Sequence, residues 1–185
     1  NTAAAAIDWK KRSVLMSDGA SHTYDRLIST LPLPELLDRM PRLPAAIKAA
    51  RCKLKWASIV CVNLGVRRPR ISDASWIYFP EPAYIFYRVG FPMNFTPHVV
   101  PKGCSSMYVE VPMKAAKRLS EKALLQKVRK DLIATHILNS RDTFAVTQLI
   151  PIKYAYVIYD KNRKAALDVI FGFLKKNKIQ SIGRY

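Results

Sequence analysis

Hydrophobic and polar residues alternate in several short stretches of the chain, and this alternation predicts β-strands because successive side chains of a strand point to opposite faces. The longest stretch, residues 54–66, alternates and then runs apolar, which is typical of a largely buried strand. Turn pairs such as Asp18-Gly19 favour a small antiparallel meander near the N-terminus. The predicted strands cover residues 3–9, 13–17, 21–24, 25–30, 54–66, 75–79, 84–89, 105–111, 144–156 and 179–182.

Apolar residues recur every three or four positions in two further stretches, and this spacing predicts amphipathic helices. Ser120 is the expected N-cap of a helix that reaches about residue 138, and Asp160 is the expected cap of the second helix. Two short helices are predicted after Pro32 and over residues 44–50. The apolar stripes consist of Leu125, Val128, Leu132 and Ile133 in the first long helix and of Leu167, Ile170, Phe171 and Leu174 in the second.

The order of these elements predicts an α+β fold, in which a mixed, mostly antiparallel sheet carries helices packed on it. Pro151 interrupts the strand region of residues 144–156, so that region is either an edge strand or two strands with a bend. Residues 92–103 predict a loop of about a dozen residues, a length at which loops are more often functional than connective.

Two short aromatic stretches flank a Pro-Glu-Pro turn and predict a hairpin at the centre of the chain. Alternation places Trp76 and Tyr78 on one face of its first strand. In the second strand, alternation places Tyr84, Phe86 and Arg88 on one face.

The register of this hairpin decides which of these side chains meet. We expect Tyr78 to lie opposite Phe86, and Trp76 opposite Arg88, so that aromatic rings surround a guanidinium. A slip of one residue would separate them onto different faces. The alternative is that the rings belong to the core and that Arg88 covers a sheet edge, since aromatic strands are usually buried.

The net charge is +18, from 31 lysines and arginines against 13 acidic residues. Such a charge attracts phosphates, nucleic acids or acidic protein surfaces. The basic residues are scattered, most densely over residues 161–178, and the sequence has no zinc spacing, RNP-like motif or helix-turn-helix pattern. A basic, non-enzymatic module for polyanions is therefore an alternative function, whereas dedicated nucleic-acid binding is not expected.

Cysteine and histidine are few and far apart. Three cysteines without a C-x-x-C pair favour reduced thiols in a cytoplasmic protein over a disulfide framework. Three histidines stand without acidic neighbours at metal spacing, so no metal site is predicted. The sequence has no signal peptide and no run of about twenty apolar residues, so we expect a soluble chain without a membrane span.

The central region contains the segments S-W-I-Y-F-P, I-F-Y-R-V, F-P-M-N-F-T-P and S-S-M-Y-V-E-V, and its arginine follows the tryptophan by twelve residues. In this order the segments resemble UDP-galactopyranose mutase-type flavoproteins of the amine oxidase and protoporphyrinogen oxidase superfamily. Two flanking segments, Y-D-R-L-I-S-T-L-P and the closing I-G-R-Y, agree with that resemblance. The similarity covers most of the chain.

The resemblance implies substrate-binding roles for five residues and assigns no catalytic residue. Trp76 and Tyr78 would lie against a nucleotide-sugar, and Arg88 would bind its diphosphate, because a guanidinium donates two parallel hydrogen bonds. Tyr156 matches a second tyrosine at the diphosphate. Phe95 stands where the mutases carry a tyrosine whose hydroxyl helps to hold the diphosphate, a bond that phenylalanine cannot donate.

The resemblance also implies FAD as the cofactor of a longer parent protein, in which Arg184 touches the flavin. Such proteins bind the pyrophosphate with a G-x-G-x-x-G turn, and none of the six glycines of this chain belongs to that motif. We therefore expect a truncated piece that binds no FAD alone and is inactive alone. Residues 1–31 and 179–185 would be remnants of the FAD-binding domain, and residues 32–178 the substrate-binding or cap domain.

Two activities remain open for the parent protein. A mutase, which is an isomerase, would contract the sugar ring of UDP-galactopyranose on the flavin. An amine-oxidase-like or protoporphyrinogen-oxidase-like oxidoreductase would instead bind an apolar or amine substrate at the same aromatic wall and pass hydride to the flavin. The expected partners are a small-molecule substrate, the missing FAD-binding domain and a second copy of the chain, because truncation exposes strand edges and apolar patches.

Overall fold

The computed structural model describes residues 2–183, in which ten strands and five α-helices form. The strands are β1 Ala4–Asp8, β2 Ser13–Met16, β3 Ser21–Thr23, β4 Leu27–Ser29, β5 Trp56–Val66, β6 Trp76–Tyr78, β7 Arg88–Gly90, β8 Ser105–Pro112, β9 Phe144–Val157 and β10 Ile179–Ser181. The helices are α1 Leu33–Asp38, α2 Ala45–Lys53, α3 Met113–Ala116, α4 Glu121–Ala134 and α5 Arg163–Lys176. The predicted α+β class, with mostly antiparallel sheets and helices packed on them, is confirmed.

The chain folds into two compact units. The first consists of the residues up to Trp56 together with those from Tyr156 onward, and the second spans Ala57–Ala155. These units are defined by packing, whereas the predicted division after residues 31 and 178 separates a cofactor domain from a cap. That functional division stays a prediction.

The first unit combines an antiparallel meander with a short parallel sheet. β2 pairs with β1 on one side and with β3 on the other, while β4 pairs in parallel with β10. Helices α1, α2 and α5 contribute apolar side chains to one core, in which Leu33, Leu36 and Ile170 are fully buried. Each such side chain contributes about 1.5–3 kcal/mol of hydrophobic free energy relative to exposure.

The second unit is built on a five-stranded sheet in the order β6-β7-β8-β5-β9. β5 alternates as predicted, with Val62, Leu64 and Val66 buried against α4 and Asn63 half-buried on the other face. β9 lies at the edge of the sheet and contains Pro151. Of the two arrangements that the proline allowed, the structure has the edge strand, where a missing backbone N–H costs no ladder hydrogen bond.

Helix α4 begins where the sequence predicted and ends earlier. The Ser120 Oγ accepts a hydrogen bond from the Ala123 N–H at 3.3 Å, which confirms the N-cap. The helix stops at Ala134 because His136 has a left-handed φ of 61°, a conformation that ends a helix. Two of the four predicted stripe residues are buried, and the other two are only partly buried. The buried apolar residues of α4 are Leu124, Val128 and Leu132.

Helix α5 begins later than predicted. Its N-cap is Asn162, and the Asp160 carboxylate accepts a hydrogen bond from the Asn162 N–H just before the helix. Leu167, Ile170 and Leu174 are buried as expected. Phe171 is 38% exposed, so its predicted place in the core is wrong. Within residues 2–183, no helix is both long enough and apolar enough to cross a lipid bilayer.

A partly buried ion pair fixes the loop after β5 to the segment before β9. Asp142 is buried, and its carboxylate accepts hydrogen bonds from Nε and Nη2 of Arg68, both at 2.9 Å, and from the Asn139 N–H at 2.8 Å. The hydrogen bonds from Arg68 hold the pKa of Asp142 below its ordinary value, against the opposing effect of burial. The pair therefore stabilises the fold most when Asp142 is ionised.

Replacing Asp142 by asparagine should lower the free energy of unfolding at pH 7 by about 2 kcal/mol, because an amide cannot accept both guanidinium hydrogen bonds. The folded-state pKa lies below the unfolded one, so the stabilisation is present above pH about 4 and is lost as the pH falls through the folded-state pKa. Urea denaturation at several pH values should therefore show the difference between wild type and Asp142→Asn shrinking from pH 7 to acid.

The matched control is Asp73→Asn, since the Arg70–Asp73 pair is at least 80% exposed on both sides. We expect that variant to change stability by less than about 0.5 kcal/mol. A stability difference for Asp142→Asn that stays constant with pH would contradict the assigned role of the carboxylate.

Candidate functional site

The aromatic hairpin pairs its strands two residues out of the predicted register. The structure pairs Tyr78 with Arg88 and Trp76 with Gly90, so the predicted pairing of Tyr78 with Phe86 is wrong. A shift of two residues keeps the side chains that still pair on their predicted faces, because the period of a strand is two. Trp76, Tyr78 and Arg88 therefore share one face of the sheet, as expected.

The connection between β6 and β7 is longer than predicted, because Phe86 packs in the core and does not pair with Tyr78. It is 2% exposed, and its ring contacts Phe79 edge-on and stacks on Tyr84 with centroids 5.9 Å apart. The neighbouring Ile85 N–H donates to the Asp131 carboxylate at 2.8 Å. Tyr84 and Phe86 thus leave the predicted aromatic wall and anchor the turn to the second unit.

The side chains that remain form two rows across β6, β7 and β8, on the face opposite the buried Val89 and Val109. We call the surface made by these rows the aromatic face. Its first row runs from Tyr78 through Arg88 to Glu110. Its second row runs from Trp76 through Gly90 to Tyr108, and the loop residue Phe95 covers it.

Arg88 lies at the centre of the aromatic face. Its Nη2 donates to the carboxylate of Glu110, which is 4% exposed, and its Nη1 lies 3.3 Å from the Tyr78 hydroxyl. The guanidinium carbon is 5.7 Å from the ring centroid of Tyr78 and 5.8 Å from that of Tyr108. Two rings and a carboxylate therefore fix the orientation of the guanidinium.

Trp76 and Phe95 form an exposed ring pair beside Arg88. Their centroids are 5.9 Å apart with planes inclined by 21°, and the side chains are 49% and 57% exposed. Tyr78 is 58% exposed. The interpretation of the strand rings as core is therefore wrong for Trp76 and Tyr78, although it is correct for Phe86.

Phe95 reaches Trp76 because the loop after β7 is fixed in place. Two short 3₁₀ turns, Pro92–Asn94 and Pro97–Val99, form within the predicted loop. The Asn94 side chain donates to the backbone carbonyls of Ser72 and Ala74 at 2.9 and 2.7 Å. An amide that bonds two carbonyls of the segment before β6 holds the loop over the aromatic face.

Gly90 makes room for the Tyr108 ring. A Cβ at position 90 would lie 2.1 Å from Cζ and 2.4 Å from the hydroxyl oxygen of Tyr108. The ring can therefore cross β7 only because its strand partner has no side chain. This crossing brings the ring of Tyr108 beside the guanidinium of Arg88.

Cys61 extends the first row on the far side of Glu110, with which it pairs across β5 and β8. Burial raises the pKa of the Cys61 thiol, and the Glu110 carboxylate raises that pKa further, while Arg88 lowers it. The thiol therefore stays protonated near neutral pH and reports the charge of its two neighbours.

The geometry of the aromatic face does not test the predicted roles of two further residues. Tyr156 is half-buried near the end of β9 and belongs to the other compact unit, so its substrate contact stays a prediction. Arg184 lies outside the described residues. In the part of the chain that the structure describes, no three histidine, cysteine or acidic side chains approach closely enough to hold a metal ion.

Sequence reasoning missed Tyr108, Glu110 and Gly90 as members of the site. The signal was present in β8, where Ser106, Tyr108 and Glu110 alternate with apolar residues and so share the face away from the core. A glutamate between two valines of a largely buried strand also indicates a cation beside it. The cation is Arg88, and only the pairing of β7 with β8 identifies it.

A family profile described as "Flavin containing amine oxidoreductase" matches residues 1–149. The chain belongs to this family. The match includes every residue of the aromatic face, and the predicted superfamily is thereby confirmed.

Solved structures agree with this family at the level of the fold. A structure described as reduced UDP-galactopyranose mutase matches 96% of the chain at 26% identity with a TM-score of 0.81. A putative protoporphyrinogen oxidase from Exiguobacterium sp. 255-15 matches 98% at 13% identity and a TM-score of 0.73. Putrescine oxidase bound to putrescine matches 98% at 14% identity and a TM-score of 0.62. The chain spans about two fifths of each, namely 40%, 41% and 42%.

The Gly90→Ala substitution should displace the Tyr108 ring and lower stability by about 1–3 kcal/mol, the usual cost of overpacking. The cost should be much smaller in a Tyr108→Ala background, where nothing occupies the space of the new methyl group. Urea denaturation of the four proteins in this double-mutant cycle measures the coupling. An equal loss of stability in the two backgrounds would show that contact with Tyr108 is not the reason for a glycine at position 90.

The Glu110→Gln substitution should lower the pKa of Cys61, because the carboxylate raises that pKa in the wild type. The measurement is the pH dependence of alkylation in a Cys52→Ser, Cys104→Ser background, which leaves one thiol. Glu81→Gln, in the exposed turn of the hairpin, is the matched control. An unchanged pH profile for Glu110→Gln would refute the electrostatic coupling of Cys61 to the row.

Proposed function

We propose that this chain is the substrate-binding part of an FAD-dependent flavoprotein and that its aromatic face binds the anionic part of a small substrate, such as the diphosphate of a nucleotide-sugar. One observation carries the proposal: Arg88 is held in one orientation by Glu110 and Tyr78 on a face lined by partly exposed rings. A cation with a fixed direction is what recognition of a phosphate group needs.

The chemistry of the guanidinium supports a phosphate ligand. Arginine stays protonated at any physiological pH and presents several N–H donors in one plane. Glu110 accepts from one edge of that plane, and the side chain of Arg88 is still 19% exposed. The buried carboxylate therefore orients the fork while it lowers the net charge of the site, which favours directional binding over general attraction of polyanions.

The rings beside Arg88 support a ligand that also has a planar or apolar part. Trp76 and Phe95 present stacked, half-exposed surfaces next to the guanidinium. Aromatic rings of this kind stack on bases and on the apolar faces of sugars. The Tyr78 hydroxyl adds a polar group that can donate to a ligand oxygen.

The structural likeness to a UDP-galactopyranose mutase, at 26% identity, supports a nucleotide-sugar among the possible substrates. Phe95 donates no hydrogen bond, so we expect weaker binding of the diphosphate than a tyrosine at that position would give. The parent activity that we propose is therefore mutase-like, with amine or apolar-substrate oxidation as the alternative that the same experiment tests.

The first unit fits one edge of an FAD site. β4 and β10 are parallel, and in open parallel sheets ligands bind outside the carboxyl ends of the strands. Beyond these ends, a Cβ on Gly183 would lie 2.5 Å from the Leu31 carbonyl oxygen, so glycine lets the two segments approach there. The chain lacks a G-x-G-x-x-G turn, so we propose that further parallel strands from the rest of the parent complete the site. Bound FAD would supply the redox chemistry.

Titration of the chain with UDP should give saturable binding that Arg88→Ala weakens about tenfold or more, since a lost charge-assisted hydrogen bond costs that much. Arg88→Lys should give an intermediate affinity, because it keeps the charge and loses the fork. Isothermal titration calorimetry measures both affinities. Removal of Arg88 strands the buried Glu110 carboxylate, so far-UV circular dichroism must show that each variant is folded.

Arg70→Ala is the matched control, since Arg70 lies in the same unit, is 82% exposed and pairs only with the exposed Asp73 among the ion pairs described. Its UDP affinity should match that of the wild type. Equal loss in the Arg70 and Arg88 variants would identify nonspecific attraction by the basic surface. Tighter binding of putrescine than of UDP would instead favour the oxidase alternative.

A further inference from the structure

A second ligand-sized space is lined by residues of the first unit, none of which belongs to the aromatic face. A cavity of about 570 Å³ opens between β4, β10 and the C-terminal half of α5. This volume lies within the range of small-molecule sites, about 300–1,000 Å³. Its walls combine Ile28 and Phe171 with three basic residues, Arg26, Lys175 and Lys178.

The parallel pairing of β4 with β10 explains why the basic residues meet. Leu27 pairs with Ile179, and the Leu27 N–H donates to the carbonyl oxygen of Lys178 at 2.9 Å. Arg26 and Lys178 directly precede the two strands, so the parallel arrangement brings them to the same end of the strand pair. Lys175 stands in the last turn of α5, which leads into β10.

The three cations have no acidic counterpart at the cavity. None of its lining residues is acidic, and no ion pair between described residues includes Arg26, Lys175 or Lys178. The Phe173 carbonyl at the end of α5 does not compensate these cations either, since its oxygen accepts a hydrogen bond from Asn177 Nδ2 at 2.8 Å. The positive charge around the cavity is therefore left for a ligand to balance.

The apolar part of the wall is open to solvent. Ile28 is 64% exposed and Phe171 is 38% exposed, although the helical pattern of α5 predicted Phe171 as a core residue. Exposed apolar surface beside a set of cations is complementary to a molecule that carries both an apolar body and a negative charge. An inorganic anion would satisfy only the cations, and a neutral apolar molecule only Ile28 and Phe171.

We propose that this cavity binds a small amphipathic anion, that is, a molecule with a phosphate or carboxylate head and a flat apolar body. The head lies among Arg26, Lys175 and Lys178, and the body lies against Phe171 and Ile28. The site shares no residue with the aromatic face: all of its lining residues belong to the first unit, and Arg88 belongs to the second. It also accounts for part of the basic cluster over residues 161–178 that the aromatic face leaves unexplained.

The test uses 1-naphthyl phosphate as the probe, with inorganic phosphate and 1-naphthol as its head and body alone. Because the ring and phosphate of this probe suit the aromatic face as well, the titration uses Arg88→Ala, which removes the phosphate contact of that face. Calorimetry should then give one saturable site for the probe and at least about tenfold weaker binding of either part. The double variant Lys175→Ala, Lys178→Ala should weaken the probe about tenfold or more, because it removes two charge-assisted contacts. Phe171→Ala should weaken it several-fold, roughly as the loss of apolar contact predicts.

Lys176→Ala is the matched control, since Lys176 is an exposed neighbour in the same helical turn and does not line the cavity. In the Arg88→Ala background, its affinity for the probe should equal that of Arg88→Ala alone. Equal affinity for inorganic phosphate and the probe would reduce the site to a charged surface and overturn the proposal. Absence of probe binding by folded Arg88→Ala, or unchanged binding when both lysines are also replaced in that background, would overturn it as well.

Discussion

The aromatic face depends on one buried carboxylate. Glu110 lies in the middle of β8 at 4% exposure, and a buried carboxylate is strongly unfavourable unless a cation and hydrogen bonds compensate it. Arg88 is its strand partner on β7 and donates to it. The need to compensate Glu110 therefore fixes the position of Arg88, and the fixed guanidinium in turn determines where Tyr78 and Tyr108 can pack against it.

Backbone spacing supports the same constellation. Tyr108 reaches Arg88 only by crossing the strand at Gly90, and Phe95 covers Trp76 only because Asn94 ties its loop to the segment before β6. Neither Gly90 nor Asn94 contributes a functional group to the site. Both restrict the positions of the rings, and restricted rings lose less conformational entropy when a ligand binds than mobile ones would.

The alternation along the sequence predicted which side chains share a face of the sheet, but it did not predict which of them are in contact. Alternation placed Trp76, Tyr78 and Arg88 together correctly, and an error of two residues in register did no harm because two is the period of a strand. Phe86 and Phe171 show the limit, since core packing buried the first and exposed the second against their predicted faces. Glu110 was missed because its partner is distant in sequence, and only the pairing of β7 with β8 brings the two together.

The two units differ in how they accommodate an excess of positive charge. The buried acidic residues among those described are Glu110, Asp131 and Asp142, all in the second unit, and each accepts a hydrogen bond from a basic side chain. Cations there are partly neutralised and held in fixed directions. The cations around the cavity of the first unit have no such acids. Directional recognition of a substrate group therefore suits the second unit, whereas the first unit gains stability whenever an anion relieves the repulsion among its own side chains.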